Sequence, residues 1–340
     1  MTFVSIMPKK ILKKLYTKDI FYNLINIASR PWRGAGAILM YHRVLPKDKI
    51  DQDYDLGLAV TKSDFENQIK FLKSKYNIVS MDEFIDRLVS RKKNEFFITI
   101  TFDDGYKDNL TYAFPVLKEN NVPATIYITT RFLTENVWIW WYELKKTIDE
   151  RTSLSFQYKN KNFFFKLSNV RQKNNTFKYL RKFFLNIRIE EQLKLLEIIS
   201  QNKIRQNYSR LFLNSNDIKL LNNDPLITIG SHSHNHSNLK ILKMDEAISE
   251  IKNSIEILEK TINKKIKHFA YPYGGKNEAN TREYEITRNL KLSSAVTTNI
   301  YPVNSNKLFS LPRIYVGKNA NEKVIRSHLT GFYNFVSKFI

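Results

Sequence analysis

FFITITFDDGY, residues 96–106, decides the reading of this chain. Phe96 to Phe102 is a run of aromatic and β-branched side chains, the composition of a buried strand. Its side chains alternate, Ile98, Ile100 and Phe102 on one face and Thr99 and Thr101 on the other. It runs straight into Asp103, Asp104 and Gly105. Two adjacent carboxylates repel unless a cation or a proton relieves them. Gly105 lets the backbone turn sharply at that point. Taken alone, the pair also reads as a helix N-cap with a spare acid.

The theme repeats on both sides. AILMY (37–41), PATIYITT (123–130), LITIGS (226–231), HFAYPY (268–273), SSAVTT (293–298) and LPRIYV (311–316) are further short strands. Helical stretches lie between them. Asp64 to Lys73 turns Phe65, Ile69 and Leu72 to one side, and Asp245 to Lys260 turns Ile248, Ile251, Ile255 and Leu258 inward around a Ser254-centred polar side. Alternating strands and helices predict an α/β fold, and seven or eight strands predict a distorted barrel of the (β/α)7 type. One segment breaks the rhythm. SLSFQYKNKNFFFKL (153–167) alternates like a hairpin turning near Asn160, and two helical stretches follow, near 176–186 and 189–201. The expected organisation is therefore a barrel in two parts, 37–143 and 223–340, split by an insertion over 144–222.

The remaining segment, 1–36, is basic and lacks a secretory pattern. Between residues 7 and 27, Leu12, Leu15, Tyr16, Ile20, Leu24 and Ile27 recur at helical spacing beside five lysines. Such a segment suits either a surface helix packed on the barrel or a cationic helix on a membrane surface. No cysteine occurs, which excludes disulfides, thiolate nucleophiles and cysteine-ligated zinc. The chain has 55 Lys and Arg against 33 Asp and Glu, a net charge of +22. That balance favours polyanions such as anionic headgroups, phosphorylated substrates or nucleic acid, and it also follows from an AT-rich genome.

LITIGSHSHNHSNL (226–239) carries the second chemical signal. Three of the six histidines, His232, His234 and His236, fall within five residues directly after a strand. His232 and His236 have the spacing that brings two imidazoles to one metal. In a parallel barrel the carboxyl ends of the strands share one face, so these histidines would meet Asp103 and Asp104 there. Two imidazoles and a carboxylate suit zinc or a similar divalent ion, leaving one aspartate free as a base. The same ligand trio serves non-haem iron oxygenases, but those need no adjacent free base.

TFDDGY (101–106), HSHNH (232–236), FAYPYG (269–274) and LPRI (311–314), in this order, resemble the signatures of the polysaccharide deacetylase family, the NodB-homology or carbohydrate esterase 4 group. The resemblance covers roughly 37–143 and 223–335, and LMYHRV (39–44) is similar to the branch that acts on poly-N-acetylglucosamine. It implies a metal-dependent hydrolase that removes N-acetyl groups from amino-sugars in a polysaccharide, a lipid-linked sugar or a glycan precursor. It implies that Asp104, His232 and His236 hold one divalent ion, taken as zinc, with Asp103 as general base. Tyr106 would offer its N–H to the oxyanion, Ser233 would brace the metal loop, and Tyr271, Pro272 and Tyr273 would shape the groove wall or belong to a core strand. Two features depart from the family pattern. The third motif lacks its base-orienting arginine, for which Arg313 is the candidate. The late Leu-x-His that supplies the general acid is also not evident. His42, directly after the first strand, is the expected acid in preference to His328 in a helix-like run. The expected partners are the glycan or lipid-linked sugar and an anionic membrane surface, not nucleic acid. The expected location is cytoplasmic, peripheral at the inner face of a bacterial membrane. The competing reading is a non-catalytic, basic membrane-surface or polyanion-binding protein on the same fold.

Overall fold

The computed structural model describes residues 29, 33–50, 56–90, 95–201, 206–318 and 320–332. The amphipathic stretch expected over 7–27 lies outside the described residues. In chain order the strands are β1 (Gly36–Tyr41), β2 (Arg43–Leu45), β3 (Ala59–Thr61), β4 (Asn77–Ile78), β5 (Phe97–Phe102), β6 (Ala124–Ile128), β7 (Ser153–Tyr158), β8 (Lys161–Lys166), β9 (Ile227–Ser231), β10 (His268–Ala270), β11 (Ser294–Val296) and β12 (Ile314–Tyr315). Seven form one parallel path, β11-β10-β9-β6-β5-β1-β12, and β4 adds to β5. The path curls until its ends meet. Leu311, just ahead of β12, bridges Val296 of β11, donating its N–H to Ala295 O at 2.9 Å and accepting from Thr297 N at 2.8 Å. The expected (β/α)7-type distorted barrel is the fold observed. Pro312 has no N–H to give to a ladder, so the regular part of LPRIYV shrinks to Ile314–Tyr315.

Strand alternation sets the two layers. Ile98, Ile100 and Phe102 face outward with Ile126 and Ile229 and bury Phe65, Ile69, Ile251 and Leu258 of the surrounding helices. Inside the barrel Ile38, Tyr127, Ala270 and Val296 stand on a floor of Met81, Phe84 and Leu88 from the helix Met81–Val89. Thr99, Thr101 and then Asp103 follow this inner face. The helix Met244–Ile262 departs from expectation at Ser254, which is wholly buried and hydrogen-bonded to Ser231 at the end of β9 rather than turned to solvent. A small hydroxyl fits against the backbone there where a larger side chain would not.

The insertion folds as a hairpin followed by two helices. β7 pairs with β8 from Ser153 opposite Lys166 to Tyr158 opposite Lys161. Lys159 and Asn160 both take positive φ, 47° and 60°, as a two-residue hairpin turn of type I′ requires. The helices are Val170–Phe184 and Ile189–Ser200. Leu154, Phe156, Leu180, Phe184 and Leu195 share one apolar cluster with Trp140, Trp141 and Tyr142 and with Tyr106 and Phe132 of the barrel loops. The helix Trp140–Asp149 straddles the expected boundary at 143/144. Among the described residues no helix is long and apolar enough to cross a membrane.

Candidate metal centre and active site

The inward alternation of β5 ends on Asp103, whose N–H donates to Tyr41 O at 3.0 Å. Asp104 and Gly105 follow with φ of 72° and 76°. This double left-handed step carries Asp104 across the mouth of the barrel, and it is costly for a non-glycine residue. On β9 the chain stays with the sheet as far as His232, whose N–H donates to Ile128 O at 2.8 Å. Ser233 and His236 then take φ of 65° and 57°, and Ser233 Oγ accepts from His236 N at 3.1 Å. The two turns aim the imidazoles at one point. Nε2 of His232 and Nε2 of His236 lie 3.3 and 3.1 Å from the same Asp104 Oδ1.

These three side chains are buried and each offers one ligand atom, all within 4.8 Å of one another. His232 Nδ1 donates to Ala270 O at 2.8 Å, which fixes the tautomer that leaves Nε2 as a lone pair. His236 is boxed by the rings of Tyr273, Trp141 and Phe132 at 4.6, 5.1 and 6.1 Å between centroids. Two imidazole nitrogens and one carboxylate oxygen this close together fit a divalent ion of zinc type. His234, between the two, turns away to Thr130 Oγ1 at 2.8 Å.

Asp103 faces a different partner. Arg313, on the seam segment ahead of β12, donates Nη1 and Nη2 to its two carboxylate oxygens, each at 2.6 Å. The same guanidinium gives Nε to Thr297 O at 3.1 Å and Nη1 to Thr101 Oγ1 at 3.3 Å. The arginine of LPRI therefore stands against the carboxylate for which FAYPYG offers no arginine. Burial works to raise the Asp103 carboxyl, but the Arg313 and His232 charges outweigh it and hold it below the ordinary carboxylate range. Asp104 goes lower still against its own burial, through its bonds to His232 and His236. Burial lowers His236, whereas at His232 the Asp103 charge and the Asp104 bond overcome burial and raise it.

A family model described as polysaccharide deacetylase matches residues 90–292, more than half of the chain. The chain belongs to the polysaccharide deacetylase family. It is 24% identical over 280 residues to the poly-β-1,6-N-acetyl-D-glucosamine N-deacetylase of Staphylococcus aureus (strain MRSA252), an alignment covering 79% of this chain and 71% of that protein. YxkH of Bacillus subtilis (strain 168) is 38% identical over 93 residues, 27% of this chain and 30% of YxkH, so the chain spans under a third of that relative. Among solved structures, the Streptococcus pyogenes deacetylase PplD in complex with acetate superposes with a TM-score of 0.58 at 19% identity, covering 86% of this chain and 97% of that one. At that identity the likeness speaks for the fold.

In this family member the other expected residues divide. His42 lies mostly buried at the end of β1 on the metal face, its ring 5.9 Å from that of Tyr315. Burial lowers its pKa although the charges of Asp104 and Asp103 push the other way, and its Nδ1 has no hydrogen-bond partner among the described residues. His328 lies at the other end of the barrel, beside Gly36, Ala37 and Ile38 of β1, where burial takes it down to about 4. His268 begins β10 and bonds Ser294 and Asp82. Tyr106 is buried beside Gly105, its ring stacked on Phe212 at 4.9 Å. Of the three expected groove residues only Tyr273 faces the triad. Tyr271 is the core strand residue of the two readings. It alternates outward with Phe269, and its hydroxyl bonds Thr287 Oγ1 at 2.7 Å and Phe309 O at 2.9 Å. Pro272 is buried, and the positive φ of Tyr273, 61°, then turns that ring back to His236. Sequence reasoning missed Phe132 and Trp141 beside His236. The signal was present in VWIWWYE (137–143), three tryptophans within four positions after a barrel strand.

Proposed function

We propose that this chain is a metal-dependent hydrolase that removes acetyl groups from N-acetylated amino-sugars of a glycan, a polymer of the poly-N-acetylglucosamine kind or a lipid-linked precursor. The observation that carries the reading is a carboxylate locked by Arg313 next to, but outside, the Asp104–His232–His236 ligand set. A zinc ion held by those three residues would polarise the acetyl carbonyl and bring the pKa of its water from 15.7 to about 7. Asp103, kept ionised by Arg313, takes the proton of the water that attacks the carbonyl carbon. The Tyr106 N–H faces the oxygen on which negative charge grows. His42 hands a proton to the nitrogen as the C–N bond breaks, leaving acetate and a free amine. Tyr273, the one expected groove residue that faces the triad, forms the wall against which the sugar rests.

The test is acetate release from the zinc-loaded protein on a panel of N-acetylated glycans and polyprenyl-phosphate sugars. Release from at least one class supports the reading, and none from any class refutes it. The +22 charge and the stretch 7–27 support attachment to an anionic membrane surface, at the cytoplasmic face. The protein should sediment with anionic vesicles at low salt and leave them at high salt. Failure to sediment at any salt would remove that part of the proposal.

A further inference from the structure

Behind the catalytic loop lies a buried ion pair that this chemistry does not use. Arg43 of β2 donates Nε to Asp108 Oδ2 at 2.9 Å, and both side chains are only 5% exposed. The other Asp108 oxygen accepts from Val44 N at 2.9 Å. Asn109, which opens a π-helical turn over Asn109–Ala113, donates Nδ2 to His42 O at 2.9 Å. Such turns concentrate at functional sites. The other arm of Arg43 reaches the insertion side. Its Nη1 donates to Tyr142 Oη at 3.2 Å, and Tyr142 donates in turn to Tyr106 Oη at 3.2 Å. The guanidinium carbon sits 4.7 Å from the Tyr106 ring centroid.

Each of these bonds ends on an element that carries a group of the active site. His42 precedes Arg43 at the corner of β1 and β2. Tyr106 and Asp108 belong to the loop that leaves Asp103 and Asp104. Trp141, 5.1 Å from the His236 ring, shares the helix Trp140–Asp149 with Tyr142. Stability alone is a weak reason for such a pair, because apolar replacements of buried ion pairs are often neutral or better. A planar fork that serves a carboxylate and a phenol at once gives geometry that an ammonium does not.

We propose that Arg43 is a positioning residue. It ties the His42 corner, the loop after Gly105 and the aromatic helix Trp140–Asp149 into one rigid unit around the metal centre. The catalytic part rests on the deacetylase reading above.

Two variants test it in the full-length, zinc-loaded protein. Arg43→Lys keeps a charge on Asp108 but loses the fork. Tyr142→Phe removes the hydroxyl that joins Arg43 and Tyr106 to the helix and leaves Arg43 on Asp108. Both should keep wild-type zinc stoichiometry and a KM within about threefold, while kcat falls roughly 10- to 100-fold, the range expected for small misplacements of reacting groups. A second readout needs no turnover. Co2+ titrated into the metal-free protein should quench the fluorescence of Trp141, and the quenching amplitude should fall in both variants at unchanged Co2+ stoichiometry. Wild-type kcat and wild-type quenching in Arg43→Lys would overturn the proposal, as would a rate loss that follows only lost metal or a raised KM. Should Arg43→Lys not fold, Tyr142→Phe decides by the same criteria. If the wild type releases no acetate, the deacetylase reading fails by itself, and the quenching still decides whether Arg43 holds the helix.

Discussion

Replacing Arg313 by methionine should damage stability and catalysis through the same atom pair. The wild-type guanidinium makes two charge-assisted bonds of 2.6 Å to Asp103, and both side chains are at most 3% exposed. Methionine fills much of the volume but leaves a buried carboxylate without its partner. Breaking a buried pair in this one-sided way costs about 3–5 kcal/mol, a fall of roughly 4–7 °C in Tm for a chain of this size. The pH dependence follows from the sign. In the wild type Asp103 is held below its ordinary value, so its contribution to stability is present above about pH 3.9 and is lost as pH falls through the lower folded value. Without Arg313 the burial that raises the carboxyl is opposed only by the smaller His232 and His42 charges, so the folded pKa rises relative to the wild type. Acidification then stabilises the variant relative to the wild type, so the gap between them should narrow from pH 7 to pH 5. The base works as the carboxylate, so the acid limb of kcat/KM should move to higher pH. Urea unfolding at both pH values, zinc content and the pH–rate profile together form the assay. Arg313→Lys, which restores a charge without the fork, should lie between the two. An Arg313→Met protein with an unshifted acid limb and a Tm within 2 °C or so of wild type would refute the argument.

His42→Ala should lose the basic limb of the pH–rate profile while keeping its metal, whereas His328→Ala should keep both; the reverse pattern would transfer the acid to His328. The depressed His328 makes a separate claim about stability, because its folded value of about 4 lies below the ordinary 6.5. Its neutral form is favoured in the fold, so stability is full above pH 6.5 and declines towards pH 4 by at most about 3 kcal/mol. His328→Gln should flatten that decline in urea titrations, and an unchanged slope would count against the burial argument. His232→Ala should drop below stoichiometric zinc in elemental analysis, because the remaining donors are one carboxylate oxygen and one imidazole; full retention would displace His232 from the ligand set.

The metal face was legible because its signals are local. A strand that ends in Asp103-Asp104-Gly105 and another that ends before His232 announce their own geometry, and barrel topology brings the ends of parallel strands together. The hairpin turn at Asn160 was equally local. What the sequence hid depends on contacts across long separations. Arg313 was a candidate only through the family resemblance, because its contact with Asp103 spans 210 positions and depends on the seam between β11 and β12. Trp141 and Phe132 reach His236 because the insertion shares its apolar interior with the barrel loops, which composition alone does not reveal. Tyr271 and Tyr273 are two positions apart and would face the same side of a continuing strand. The positive φ at Tyr273 separates them, one into the core and one onto the metal face.

The most direct test of the central claim is acetate release from a β-1,6-linked N-acetylglucosamine oligomer by wild type and Asp103→Asn, with zinc content measured on the same samples. Asparagine preserves the shape at Arg313 and leaves the ligand set untouched, but its amide cannot accept the proton. The account predicts acetate from the wild type, and from the variant a rate lower by about 10²- to 10⁴-fold at equal zinc. Near-wild-type release by Asp103→Asn at equal zinc would contradict it, as would no release by the zinc-loaded wild type from this oligomer or from any other substrate of the panel.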